Sequence, residues 1–380
     1  MREPGELRRQ RILAAVQTRG EVRLSDLSAE LDVSAVTMRR DVEQLTLDGK
    51  VRRGHGVVRP VDQVRERAVP DGTATDGDPV ALVVPERHTY LYDTLHGARI
   101  ALEEAGMRVA LHIAPQVKGA ELPLVERALA AGARGLIIAP RWRTAATEEA
   151  DYDWLARLDV PTVLMERRPR RGGALHAVDS VCTDHWYGTH LAVEHLVSLG
   201  HRRIVLAARD DSPTGRTIRA AFAEIAAARA EVEDWTVALS AHGAPGGAPL
   251  DLAALLRERR ATGAVLHADV DALMMVQELR QGGVRVPQDC SVVAYDDVLA
   301  ALGSPPLTAV APPRAEIGRA AAELLLRRLT ASASRHAAEP APVRRVELLP
   351  CLKVRGSARP LKPASPEAAP AASPAPPEEP

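Results

Sequence analysis

From Val80 to Asp297, short apolar runs alternate with amphipathic stretches, and that rhythm restricts the fold more than any other feature of the chain. "VALVVP" (80–85) precedes "LYDTLHGARIALEEAG", and "RVALHIAP" (108–115) precedes "LPLVERALAAG". "GLIIAP" (135–140) and "VPTVLMER" (160–167) follow. The second half repeats the scheme with "HRRIVLAAR" (201–209), "TGAVLHAD" (262–269), the helical "ALMMVQELRQGG" and "CSVVAYDD" (290–297). Apolar runs this short suit strands covered on both faces, as in a parallel sheet, with the helices between them as crossovers. Two such series predict an α/β fold with two doubly wound parallel-sheet lobes and a crevice between them. Ligands of open α/β sheets sit beyond the carboxyl ends of the strands, so the loops after each run are the candidate site.

The first sixty residues follow a different grammar. "ELRRQRILAAVQTRG" places Leu7, Ile12, Ala15 and Val16 on roughly one helical face, with Gly20 closing it. "LSDLSAELDV" opens a second helix with Ser25 as N-cap and Leu27 and Leu31 inward. Ser34 caps a third, with Val36, Val42 and Leu45 as its inner face, Gly49 as its stop, and Thr37, Arg39 and Arg40 largely on the other side. "KVRRGHGVVRP" then predicts two short strands around a Gly-His-Gly turn. Three short helices and a hairpin make a winged helix-turn-helix, a geometry in which the last helix enters the major groove of DNA.

Charge supports that assignment locally. The chain of 380 residues carries a formal net charge of −1, yet residues 34–59 hold six basic against three acidic side chains. Only the charge over the binding face matters to a polyanion. Arg39 and Arg40 would offer guanidinium forks to guanine edges or phosphates, where a good bidentate base contact discriminates by about 1–3 kcal/mol. Arg52, Arg53 and His55 on the wing would hold the backbone and add salt-dependent affinity.

Residues 8–59 closely resemble the DeoR-family DNA-binding domain: Ser34, Thr37, Arg39, Arg40, Asp41, Leu45, Gly49, Arg53, His55 and Gly56 match its pattern. The match departs at Val57, where the family often has a second Gly. Residues 80–357 resemble instead the periplasmic-binding-protein-like effector domain (type I) of LacI/GalR regulators. That resemblance rests on "VCTDHWYGTHLAVEHLVSLGHRRIVLAA", "GGVRVPQDCSVVAYDD", "SPPLTAVAPPRAEIGRAAAELLLRRL" and "LLPCLKVRGSARP" in order. The two together imply a DeoR-type DNA domain fused to a LacI-type sensor, without the usual LacI headpiece or minor-groove hinge helix. They imply a transcriptional regulator, a repressor, that binds a double-stranded operator as a homodimer and answers to a small sugar or sugar derivative.

The expected boundaries are residues 1–60 for the DNA-binding domain, 61–79 for a linker and 358–380 for a Pro/Ala-rich unstructured tail. Between them lie lobe one (80–202 plus 308–330) and lobe two (203–302 plus 335–356).

The resemblance carries effector positions unevenly. Asp296, first of two acids after "SVVAY", matches a position that hydrogen-bonds sugar hydroxyls. Asp184, opening the helix of "TDHWYG", matches a cleft position and also suits a plain N-cap. After "IVLAAR" the family places an Arg four residues before an aromatic; Ile218 stands there, and the neighbouring Arg216 is the expected substitute. The family's Asn-Asp reads Ala268-Asp269, leaving Asp269 alone. "ERHTYLY" offers His88 and Tyr90, and "LMERRP" offers Arg167. Planar polar groups of these kinds make paired hydrogen bonds to vicinal hydroxyls and reject the wrong sugar by being left unpaired. The missing polar groups at Ile218 and Ala268 motivate an alternative, a vestigial cleft controlled by a protein partner or by nothing.

Other classes find little support. Cys182, Cys290 and Cys351 form no C-x-x-C pair, so neither a disulfide framework nor a zinc site is expected. The chain contains no G-x-S-x-G elbow, P-loop, H-E-x-x-H or G-x-G-x-x-G, so neither catalysis nor a cofactor is expected. No apolar run reaches the roughly 18 residues of a membrane span, and no signal peptide is evident, so a cytoplasmic, nucleoid-associated protein is expected.

Overall fold

The two apolar series become two six-stranded sheets in the computed structural model of this chain. The structure describes residues 8, 12, 15–16, 22–31, 33–47, 51–53, 57–60, 78–86, 89–142, 144, 147, 151–240, 250–333 and 341–361. The chain divides into Met1–Ala74 and Thr75–Pro380.

In the first unit, strand β1 (Val22–Arg23) leads into helix α1 (Leu24–Glu30), then helix α2 (Ala35–Leu47) and strands β2 (Val51–Arg53) and β3 (Val57–Pro60). The strands form an antiparallel sheet in the order β1-β3-β2, so the expected hairpin carries a third strand that its sequence did not announce. Ile12, Val16, Leu27, Met38, Val42 and Val58 are sealed in one core, which joins the first helix to both others and to the wing. Ser25 is not the N-cap expected. The helix already begins at Leu24, and the Ser25 hydroxyl turns outward, 3.0 Å from Asp26 Oδ1. The expected linker lies outside the described residues up to 77.

In the second unit, lobe one is the sheet β14-β8-β7-β6-β4-β5, all parallel. Its strands are β4 (Pro79–Pro85), β5 (Arg108–Ala114), β6 (Gly135–Ile138), β7 (Thr162–Met165), β8 (Asp179–Thr183) and β14 (Arg345–Leu348). Lobe two is β10-β9-β11-β12-β13-β15, parallel except for β15. It is built from β9 (Arg203–Ala208), β10 (Asp234–Leu239), β11 (Gly263–Leu266), β12 (Ser291–Tyr295), β13 (Thr308–Ala311) and β15 (Cys351–Lys353). The apolar runs are continuous because each strand is covered twice. Val80, Leu82 and Val84 of β4 enter one core and Ala81 and Val83 the other; in β9 Val205 and Ala207 face one way, and Ile204, Leu206 and Ala208 the other. Each fully buried Val or Leu contributes about 1.5–3 kcal/mol.

The helices used below are α3 (Tyr92–Glu104), α4 (Glu121–Ala130), α5 (His185–Ser198), α6 (Pro213–Ala228), α7 (Leu252–Glu258), α8 (Asp269–Gln281) and α9 (Arg314–Ala333). Helices α3 and α9 meet through paired glycines. A Cβ on Gly318 would lie 1.9 Å from Thr94 O, and one on Gly97 would lie 2.2 Å from Ala315 O.

The lobe boundaries differ from those expected. Residues 185–198 belong to lobe two, because Ala192, Val193 and Leu196 of α5 are buried with Ile204, Leu206 and Ile218. Strand 308–311 belongs there too, hydrogen-bonded to β12, while strand 345–348 returns to lobe one beside β8. The chain therefore crosses after β8, after β13 and between β14 and β15. The expected tail is also tied down at its start: Arg359 N donates to Ser291 Oγ at 3.1 Å and Leu361 N to Leu199 O at 2.8 Å. Residues 362–380 lie outside the described residues.

Candidate functional site

Helix α2 is fixed from below and capped in front. Ser34 Oγ accepts from Thr37 N at 3.2 Å and lies 2.9 Å from Thr37 Oγ1, so both residues of the expected set serve the cap. Asp41, buried beneath the helix, pairs with Arg8 Nε at 2.5 Å and anchors the first helix to it. Arg40 is exposed on the side away from Met38 and Val42, as a base- or phosphate-contacting residue must be. The side chains of Arg39, Arg52 and Arg53, and the whole of His55, lie outside the described residues.

The second candidate is the cleft between the lobes, where both sheets present their carboxyl ends. On the lobe-one wall, Glu166 follows β7 in the left-handed backbone region, at φ 54°. Its carboxylate accepts from Thr183 N at 3.2 Å and Thr183 Oγ1 at 3.1 Å. Burial raises its pKa, outweighing the Thr183 hydrogen bonds and the charges of Arg167 and Arg314. Arg167 is itself buried and faces carbonyls: Nε donates to Pro140 O, Nη1 donates to Glu166 O at 2.7 Å, and the fork reaches Tyr90 Oη at 3.4 Å. Tyr90 and Arg167 are thus brought together as expected. Asp184 turns away into the bland role, its Oδ1 accepting from Tyr187 N at 2.9 Å to cap α5. His88 lies outside the described residues.

On the lobe-two wall, Asp296 follows β12 at φ 93°. Its carboxyl is pushed up to about 7, first by burial and then by the neighbouring Asp269, with Arg314 opposing. Its Oδ2 lies 3.9 Å from His267 Nε2, but burial and then Arg209 push that imidazole down to about 4, which leaves it neutral. Asp269, expected at the effector, has one carboxylate oxygen engaged by backbone, and its Oδ1 is buried without a hydrogen-bond partner. It is fully buried, and its Oδ2 accepts from Leu299 N at 2.5 Å and Ala300 N at 2.9 Å, so the carboxylate holds the loop after β12. Ile218 is sealed in the lobe-two core, whereas Arg216 lines the cleft.

Two links join the walls. Arg216 Nη2 donates to Trp142 O at 2.9 Å. Arg314 pairs with Asp93 at 3.2 Å and donates to the carbonyl oxygens of Asp296 and Asp297. Within lobe two, His185 Nδ1 lies 3.2 Å from Tyr295 Oη, with the imidazole held neutral because burial lowers its pKa to about 3. Gly188 makes room for that tyrosine, since a Cβ there would lie 2.2 Å from its hydroxyl. A cavity of about 100 Å³ remains, lined among others by Trp142, Glu166, Thr183, His185, Thr214 and Arg216. Pockets that enclose a drug-sized ligand run to roughly 300–1,000 Å³, so this part of the cleft is smaller than such a ligand needs.

Sequence reasoning missed Glu166, His185, His267, Tyr295 and Arg314. The first four sit beside or within quoted runs, but nothing in their spacing marks them; only the closing of one strand end on another does. Arg314 opens a helix far along the chain from the carbonyls it grips.

Comparison with known proteins agrees with both halves. A DeoR-like helix-turn-helix domain matches residues 8–64, and a periplasmic binding protein-like domain matches residues 193–358. The HTH-type transcriptional regulator MalR of Streptomyces coelicolor is 31% identical over 353 residues, covering 88% of this chain and 96% of MalR. A LacI family transcriptional regulator from Enterococcus faecium, solved with bound ribose, superposes with a TM-score of 0.56 at 23% identity, over 75% of this chain and 100% of that one. The lac repressor dimer bound to operator and an anti-inducer gives 0.59 at 21% identity, over 78% and 99%. With the two-lobed fold, the capped third helix and a relative matched along nearly its whole length, the chain belongs to the LacI-type family of helix-turn-helix transcriptional regulators, carrying a DeoR-like domain at its front.

Proposed function

We propose that this regulator is a repressor that binds an inverted-repeat operator as a homodimer in the cytoplasm, and that a small sugar-like effector seated between its lobes sets its affinity for DNA. The observation that carries the effector half is the cleft itself: two strand-end walls bearing buried, hydrogen-bonding carboxyls and arginines, joined by Arg216 and Arg314. The effector contacts proposed are Tyr90, Arg167, Arg216 and Asp296, with Glu166 and Thr183 added; DNA contacts are Ser34, Thr37, Arg39, Arg40, Arg52, Arg53 and His55. An effector that binds one lobe angle better than another shifts the population of DNA-competent dimers, a coupling of typically about 1–3 kcal/mol.

The test is a gel shift with the DNA upstream of the gene, run with and without a panel of sugars. Specific retardation at moderate salt, altered by one sugar, is the expected result; no specific retardation discards the DNA half. The core burial of Ile218 and the alanine at 268 favour one rival, a cleft without a ligand. Thermal shift separates the two, because a ligand at 100 times its Kd stabilises by about 2.7 kcal/mol.

A further inference from the structure

Five arginines around the cleft are directed at the protein's own acceptors, while a sixth, Arg219, acts on His267 through its charge. Arg167 grips Pro140 O, Glu166 O and Tyr90 Oη. Arg314 holds the Asp93 carboxylate and two carbonyls, and Arg216 bonds Trp142 O. Arg209 is bidentate to Asp211 at 2.9 and 2.8 Å and reaches Asp271 at 3.3 Å, while Arg168 pairs with Glu347. The acids are served differently. The donors to the Glu166 carboxylate are both from Thr183, and the basic group nearest the Asp296 carboxylate is a neutral imidazole 3.9 Å away.

Two helix N-termini at the cleft are capped by the chain's own side chains, whereas α3 and α8 begin without a side-chain cap, α8 with Asp269 and Asp271 in its first turn. Where α5 begins at the cleft, its first turn is capped by the Asp184 carboxylate, and α6 is capped by Ser212 Oγ accepting from Gly215 N at 3.0 Å. A separate observation points to a ligand with an acceptor oxygen. Trp142 is only 1% exposed and lines the cavity, and its Nε1–H has no hydrogen-bond partner. A buried donor of this kind is satisfied by an acceptor oxygen, such as that of a hydroxyl.

Resting on the effector reading above, we infer that the cleft selects an uncharged sugar, which gives hydroxyl donors to Glu166 and Asp296 and takes the Trp142 N–H, and that it rejects sugar phosphates and sugar acids. An anionic group placed here would face two buried carboxyls while the nearby guanidinium groups stay turned to carbonyls and to other acids.

The experiment uses the full chain and matched sets: ribose with ribose 5-phosphate, and glucose with glucose 6-phosphate and glucuronate. Binding is measured by calorimetry and thermal shift at constant ionic strength, with inorganic phosphate as a separate probe against chloride. In any set where the parent binds, it should bind at least about tenfold tighter than its charged partner, a difference of about 1.4 kcal/mol, and phosphate should give no saturable shift. Glu166→Gln should narrow the gap between parent and charged partner; a merely structural role would weaken both alike. A charged sugar binding as tightly as its parent overturns the inference, and so does saturable phosphate binding lost in Arg216→Gln. Should no sugar of either kind bind, the effector reading fails by itself, and the phosphate arm still decides whether the cleft excludes anions.

Discussion

Asp296→Asn should make this protein more stable while making it deaf to its effector. The folded chain holds the Asp296 carboxyl near 7 against an ordinary value of 3.8, so the folded state binds that proton more tightly than the unfolded state does. Below about pH 4 both states are protonated and the group is neutral to folding. As pH rises, the unfolded chain ionises first, and folding stability is lost progressively until the folded pKa is passed. Three units at about 1.4 kcal/mol each put the full cost near 4 kcal/mol above neutral pH, with about 3 kcal/mol of it developing between pH 5 and pH 8. Asparagine keeps the shape, tolerates the positive φ of this position better than other residues, and carries no charge. Urea denaturation of both proteins at fixed concentration, at pH 5 and pH 8, isolates the effect because the other titrating groups are common to both. The stabilisation of the variant should grow by about 3 kcal/mol between the two pH values with an unchanged m-value. A pH-independent difference, or a variant less stable at pH 8, would refute the claim that the cleft buries an uncompensated carboxyl.

Further outcomes follow from named contacts. Arg39→Ala should abolish specific operator retardation, and Arg40→Ala should weaken it by about 1–3 kcal/mol, whereas Arg52→Ala should mainly lower the salt slope of binding; equal effects on every DNA sequence would contradict this division. Gly318→Ala forces a Cβ against Thr94 O, and the resulting overpacking of α9 on α3 should cost about 1–3 kcal/mol or more, seen as a fall in Tm. Asp269→Ala leaves the N–H groups of Leu299 and Ala300 without their acceptor, so it should destabilise by about 1–3 kcal/mol per group and raise hydrogen exchange at both amides.

How much of this could be seen in the sequence depended on what covers each strand. β4, β6, β9, β11 and β12 were legible because both faces are apolar, so the run shows without any knowledge of neighbours. β8, "DSVCT", is just as buried but hides its role, because its burial is polar. Asp179 is held by Arg327 at 3.1 Å and Arg328 at 2.7 Å, and Thr183 donates to Glu166. β10, at a sheet edge, and the short β14 and β15 give too weak a pattern to stand out. The lobe exchange after β8 escaped for the same reason: α5 looks like any amphipathic helix, and only packing shows which sheet it covers.

The site divides along a similar line. Position after a strand, together with the family resemblance, was enough to nominate Tyr90, Arg167, Arg216 and Asp296. It also nominated Asp184 and Asp269, which look alike in sequence but serve backbone amides of their own chain. The supply of donors differs between the two acids: Asp269 Oδ2 takes two amides while its Oδ1 takes none, and Asp296 sits beside an imidazole that burial keeps uncharged. The same accounting indicates how a signal could start. The links between the lobes are made by Arg216 and Arg314 to carbonyl oxygens of the opposite wall, with Glu166 between them short of donors. A ligand changes the lobe angle only by its differential affinity for the two arrangements. Hydroxyls that satisfy Glu166 and Trp142 at one angle and not at another provide such a difference, and a charged group that must first pull an arginine from its carbonyl does not.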